Sequence, residues 1–340
     1  MSNRGWRRAA RTRASAIVAG VAVLCAGCAG QQAAEVAPPT RRVVAPTVAP
    51  TATPVGPVAP LTGAPVGAPE ASTRPAVAVV VRAEDAAASP QGLDAADVVY
   101  EEFAEPGLRR MLTLFSSSVP DVAGPVSGTR PLDRDLLRVV DPVLVYSGSY
   151  KRFAQQIGDT ADLTGVTTSS SSSSFRQGAD GLPYAVLARV YEAVGTGRPA
   201  AVPLLTYATA GDELATSGRT AATSAVLAVP GHAPQTWRYD AATGAWSDGS
   251  GLTAQNVLLQ TVQYKDIVTD KSGHSVPSAR VVGDGAMQAF SGDQTVVGTW
   301  HKPKVEAVTN YVDATLVPVR LRPGRTVVLL APATATVTVA

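Results

Sequence analysis

Residues 98–116 read VVYEEFAEPGLRRMLTLFS, and the fold follows from how this stretch is parsed. Val98 to Phe103 is short and rich in β-branched and aromatic residues, which predicts a strand. A period of two puts Val99, Glu101 and Phe103 on one face and Val98, Tyr100 and Glu102 on the other. Leu108 to Ser116 predicts a second strand. Ala104-Glu105-Pro106-Gly107 between them carries turn chemistry, so the two should pair. Upstream, Pro75 to Arg82 is an apolar run of strand length. Gly92 to Asp97 fits a turn or short helix. Downstream, Pro131 to Val139 predicts a helix with proline in its first turn. Val143 to Ser147 predicts another strand, and Tyr150–Ile157 and Leu182–Val194 predict helices. Ser169–Ser174, six serines in a row, is expected as a flexible loop.

Beyond residue 223 the pattern turns strand-rich. Candidate strands are 224–229, 236–240, 244–247, 256–263, 279–283, 285–290, 294–300, 315–321 and 326–331. Turn chemistry recurs between them, as at Gly283-Asp-Gly285 and Arg322-Pro-Gly324. The expected fold class is α+β: a mixed α/β domain over 60–210, then a smaller β-rich domain over 223–340, sandwich- or barrel-like.

The chain has 340 residues, room for about two domains of roughly 100–200 residues each. Its start has a separate logic. Residues 1–27 hold five arginines and no acid, followed within them by an uncharged run from Ala14 to Gly27. Fourteen residues are short of the ~20 that span a bilayer, and fit a signal-peptide h-region. Leu24-Cys25-Ala26-Gly27-Cys28 resembles a lipobox, in which Cys28 would carry diacylglycerol and begin the mature chain. Cys25 stands where the usual Leu would be, with Leu24 one place further back. Residues 28–59 read as a tether. Seven prolines among residues 31–60 favour polyproline II, roughly 90 Å long at ~3.1 Å per residue. A spacer through the cell wall and plain disorder share that composition. Two acyl chains suffice for stable anchoring, so the expected location is the outer face of the cytoplasmic membrane.

Composition excludes several functions. The five arginines of the signal taken from 29 basic residues leave 24 against 27 acids, so the folded part offers no basic footprint for nucleic acid. Both cysteines, Cys25 and Cys28, precede the folded part, which rules out disulfides, Cys-ligated zinc and a cysteine nucleophile there. His232, His274 and His301 lack ligand spacing, so neither a metal nor a cofactor is expected. No Ser-x-x-Lys, phosphate-binding Gly-rich loop or His-Glu-x-x-His occurs. Trp237, Trp246 and Trp300 fit either a sugar-stacking surface or a β core.

The remaining chemistry is ionic. Glu101, Glu102 and Glu105 form an acidic cluster; Arg109, Arg110, Arg130 and Arg134 form a basic one. One reading is a polar pocket with Glu101, Arg130 and Arg134 as its ligand-binding set: Glu101 or Glu102 acts as catalytic acid/base or cation ligand, and Arg130 clamps an anionic group of the substrate. Replacing Arg130 should then cost binding rather than stability. The other reading is a set of cross-strand ion pairs on a wet sheet face.

Several ordered segments are similar to the YerB-like lipoprotein family, a two-domain bacterial family of uncharacterised function. They are Pro60-Leu-Thr-Gly63, Arg74-Pro-Ala-Val-Ala-Val-Val80, residues 89–102 and Gly124-Pro-Val-Ser-Gly-Thr-Arg130. In the second half they are Gln255-Asn-Val-Leu258, Gly283-Asp-Gly285, Gly298-Thr-Trp300 and Leu321-Arg-Pro-Gly-Arg-Thr326. The resemblance runs from Pro60 to Val339. Relatives often carry Pro-His-Asn where this chain has Pro183-Tyr184-Ala185, and two arginines where Ser127-Gly-Thr-Arg130 has one. Chemistry resting on that His would be missing here. The resemblance implies little about activity. The reading taken forward is an exported binding or scaffolding module whose partner is a cell-wall component or an envelope protein. The alternative is a hydrolase or transferase acting on an envelope polymer.

Overall fold

The computed structural model describes residues 56–84, 90–160, 163–195, 197–209, 214, 218–269 and 271–340. The export signal, Cys28 and the tether as far as Val55 lie outside them. Helix α1 (Glu70–Thr73) precedes strand β1 (Val77–Glu84). The stretch 98–116 forms β2 (Val98–Glu105) and β3 (Leu108–Phe115). Next come β4 (Val122–Ala123), α2 (Pro131–Leu137), β5 (Val143–Tyr146), α3 (Lys151–Gly158) and β6 (Thr164–Thr167). β7 (Phe175–Gln177), β8 (Pro183–Val186) and α4 (Leu187–Val194) complete the helical half. The rest is strand: β9 (Thr220–Ala221), β10 (Ser224–Ala228), β11 (Gln235–Asp240), β12 (Ala245–Ser247), β13 (Thr253–Ala254) and β14 (Asn256–Val268). Then follow β15 (Ser275–Arg280), β16 (Gly283–Ser291), β17 (Gln294–Lys302), β18 (Asn310–Asp313), β19 (Thr326–Pro332) and β20 (Thr336–Val339).

Among the described residues, twelve strands form one mixed sheet, ordered β18-β17-β16-β14-β19-β2-β3-β1-β5-β6, with β15 added to β14 and β9 to β17. The two expected stretches, 60–210 and 223–340, meet within it. The junction is β19 lying parallel to β2, Thr326 opposite Val98 through Leu330 opposite Glu102. β19 is an apolar run and β2 is apolar apart from its glutamates, which suits strands covered on both faces.

The faces of β2 divide as its alternation predicts. Val99 and Phe103 pack with Trp237, Trp246 and α4. Val98 and Tyr100 pack with Leu132 and Leu136 of α2 and with Trp300. The three tryptophans are core residues, at most 2% exposed. A five-stranded sheet, β13-β12-β11-β10-β20, covers part of the first face. Helices α2 and α3 cover the second.

Four expectations are corrected. The β-rich half is not a sandwich or barrel of its own, because β14 and β16–β19 extend the main sheet. The continuous apolar run of β19 is the signal for this: a solvent-facing sandwich strand would alternate. Leu182–Val194 is not all helix, since Pro183–Val186 pairs as a strand with β4 and β7. Residues 315–321 are not a strand; the Asp313 carboxylate accepts the amides of Thr315 and Val317 and turns the chain. Ser169–Ser174 is folded into a turn and a 3-10 segment. Its hydroxyls bond one another and nearby backbone, as Ser170 Oγ does in accepting the Thr167 amide.

Candidate functional site

Adjacent residues on a strand face opposite ways, so Glu101 and Glu102 enter different halves of the core. Both are buried, at 0% and 1% exposure, and a buried carboxylate must be paired or hydrogen-bonded. Glu101 faces the five-stranded sheet and accepts from the side-chain amide of Gln235. Arg109 Nε lies 3.9 Å from it, and the same guanidinium reaches Asp248 at 3.0 Å.

Glu102 faces α2. Its Oε1 accepts the Ala279 amide at 3.1 Å, and its Oε2 lies 3.5 Å from Arg110 and 3.4 Å from Arg130. Burial pushes the carboxyl of Glu102 above its ordinary value, against the pull of Arg130 and Arg110. Asp133, on the first turn of α2, anchors the other side. It takes both terminal nitrogens of Arg110, at 3.0 and 2.5 Å, and the backbone amide of Arg130 at 2.8 Å. Arg130 also donates to the Pro277 carbonyl at 3.0 Å and pairs with Glu105. Strand β2, helix α2 and the β14–β15 hairpin are thus joined by one ionic network.

The sequence-predicted ligand set is not brought together. Glu101 is on the opposite sheet face from Arg130. Arg134 pairs locally with Asp135 at 2.6 Å, about a third exposed. The wet-face reading is corrected as well, since Glu101, Glu102, Arg109 and Arg110 are all under 5% exposed. A catalytic acid/base must reach solvent and substrate; Glu101 and Glu102 have their oxygens in the core.

An open cleft adjoins the network. It lies beside the last residues of β1 and the first of β3, just beyond the carboxyl end of β5. Arg82, Arg110 and Arg130 line it, with Glu105, Leu108 and two loops, 127–129 and 148–150. The resemblance segment Gly124–Arg130 builds one wall. Its Ser127 amide bonds the Val80 carbonyl, and its Ser127 carbonyl takes the Ser147 amide, both at 2.8 Å. Gly128 lets the two loops approach closely: a Cβ would stand 3.0 Å from Ser149 Cα and push the 148–150 loop back by a few tenths of an ångström. The other wall leads into α3, where Tyr150 is 47% exposed with its ring edge-on to Phe153, 5.8 Å between centroids.

Arg82, Tyr150 and Asp133 were not legible as site residues. The only sequence signal was their nearness to predicted strand and helix ends. Their meeting depends on the β1–β3 and β1–β5 pairings.

Two family models match the chain. "Protein of unknown function (DUF3048) N-terminal domain" covers residues 61–196, and the DUF3048 C-terminal domain covers residues 228–328. "Putative lipoprotein YerB" of Bacillus subtilis (strain 168) is 38% identical over 72 residues. That alignment covers 21% of this chain and 22% of the relative. The crystal structure of the YerB protein from Bacillus subtilis superposes with a TM-score of 0.65, covering 83% of this chain and 99% of that one. At 19% identity this likeness speaks to the fold alone.

Proposed function

Because the chain belongs to the DUF3048 family, with both its N-terminal and C-terminal domains, we propose that it is an exported, lipid-anchored envelope protein that binds rather than cuts. Three things support the export half: the charged n-region and h-region, the lipobox at Cys28, and a relative named as a lipoprotein. Among the described residues no helix is long and apolar enough to cross a membrane. In this reading the acyl chains on Cys28 hold the protein at the outer face of the cytoplasmic membrane. The Cys28→Ala variant should leave the membrane pellet and appear in the soluble extracytoplasmic fraction. If it still floats with lipid on a detergent-free gradient, the anchor is elsewhere.

The binding half rests on one observation: both candidate catalytic glutamates are committed inside the core, while the adjoining cleft is open and lined with hydrogen-bond donors. A cell-wall component is the partner we favour. The test is co-sedimentation of the full-length protein, held in non-ionic detergent, with purified Bacillus subtilis cell walls. The wild type should pellet with the walls, and Tyr150→Ala should pellet several-fold less. Tyr150 is half exposed, so its loss should leave folding intact. No pelleting, or equal pelleting of the two, would overturn the reading.

A further inference from the structure

Arg82 and Arg110 stand directly opposite each other on antiparallel strands β1 and β3. Both sit on the face whose buried positions are Val80 and Leu112. Like charges in directly opposed positions repel, so such a pair is disfavoured unless something anionic lies beside it. The protein supplies part of that anion. Arg110 has Asp133 and Glu102. Arg130 has Glu102 and Glu105. Arg82 forms no ion pair among the described residues, and its side chain is exposed at the cleft.

Other donors at the cleft are also unused. Arg110, 3% exposed, is not one of them: Asp133, Glu102 and the Gly128 carbonyl take its terminal N–H groups. The backbone amides of Gly148, Ser149 and Tyr150, just ahead of the first turn of α3, donate to no acceptor among the described residues. Glu105, the acid that lines the cleft, is already held by Arg130.

Size narrows the ligand. The cleft encloses about 130 Å³, against roughly 300–1,000 Å³ for a typical small-molecule pocket. It has room for one charged group at the edge of a larger molecule. The half-exposed ring of Tyr150 stands beside it as a flat, amphipathic surface.

We propose that the cleft captures the oxyanion of an acidic sugar unit, held by Arg82 and the backbone amides of Gly148, Ser149 and Tyr150, with the sugar ring resting on Tyr150. This deepens, and rests on, the binding function proposed above. An arginine fork takes carboxylate and phosphate alike, so the group is either a uronic-acid carboxylate or a sugar phosphate.

The full-length protein in non-ionic detergent would be titrated calorimetrically with glucuronic acid, glucose 6-phosphate, glucose and inorganic phosphate. One or both acidic sugars should bind at least tenfold more tightly than glucose, and the tighter one identifies the source of the oxyanion. Arg82→Ala should weaken that binding at least tenfold with an unchanged melting temperature. Tyr150→Ala should weaken binding of the acidic sugar more than that of inorganic phosphate. Raising salt should weaken binding, because Arg82 is exposed. Equal binding of glucose and the acidic sugars, or full binding by Arg82→Ala, would overturn the proposal. Wall pelleting that persists while no acidic sugar binds sinks this ligand class and leaves the binding function standing. Loss of both sinks both.

Discussion

Asp133→Ala is expected to be the most damaging single substitution in the ionic network, costing about 3–5 kcal/mol of folding stability. Asp133 is 0% exposed and holds both terminal nitrogens of Arg110. It also accepts the Thr129 hydroxyl and the Arg130 amide. Alanine leaves the Arg110 guanidinium buried with the Gly128 carbonyl and a single carboxylate, Glu102, 3.5 Å away and shared with Arg130. An uncompensated buried charge costs more than the pair it came from is worth. The first turn of α2 loses its side-chain acceptor at the same time, about 1 kcal/mol more on ordinary capping values. The melting temperature is read on the full-length protein in non-ionic detergent. A fall of about 10 °C is expected at roughly 2–4 °C per kcal/mol. Asp135→Ala, two residues on, is the control. Its ion pair with Arg134 is local and partly exposed, and such pairs contribute about 0–1 kcal/mol. If the two variants melt alike, the network does not carry stability.

How much of this was legible beforehand depends on the range of the interaction. The β2–β3 hairpin was readable because alternation, turn residues and partner strand all lie within nineteen residues. The split of β2 between two core faces followed from its period alone. The pairing of β19 with β2 joins residues more than two hundred positions apart; the apolar run of β19 marks a strand covered on both faces, but nothing local names its partner. For the same reason the strand-rich second half read as a sheet of its own. The glutamates drew attention as charges in an apolar strand, and rightly so. What the sequence withheld was their burial, which turns an apparent acid/base pair into two structural anchors. Arg82 is the converse case. As the last residue of an apolar run it looked like a strand end, and only the β1–β3 register sets it against Arg110. The Leu182–Val194 expectation failed at Pro183–Val186 because pairing with β4 and β7 outweighed helical periodicity there.

Arg130→Ala separates a ligand clamp from a structural tie. Read from sequence, Arg130 binds an anion and its loss spares the fold. In the structure its side chain is 11% exposed, and its guanidinium already holds Glu102, Glu105 and the Pro277 carbonyl. Removing it strips Glu102 of one of two cations and unfastens the β14–β15 hairpin from α2. The expected cost is about 3 kcal/mol, the low end of breaking a buried pair, since Arg110 and the Ala279 amide remain on Glu102. A double-mutant cycle makes the mechanism visible. Glu102→Leu alone should also destabilise, because Arg110 and Arg130 lose their shared carboxylate. Glu102→Leu combined with Arg130→Leu should cost less than Glu102→Leu and Arg130→Leu measured singly and summed, with a coupling of about 1–3 kcal/mol. An apolar pair in place of a buried ion pair avoids the desolvation that each lone charge suffers. Additive effects in chemical denaturation, or a melting temperature of Arg130→Ala equal to wild type, would show the guanidinium free to serve a ligand instead.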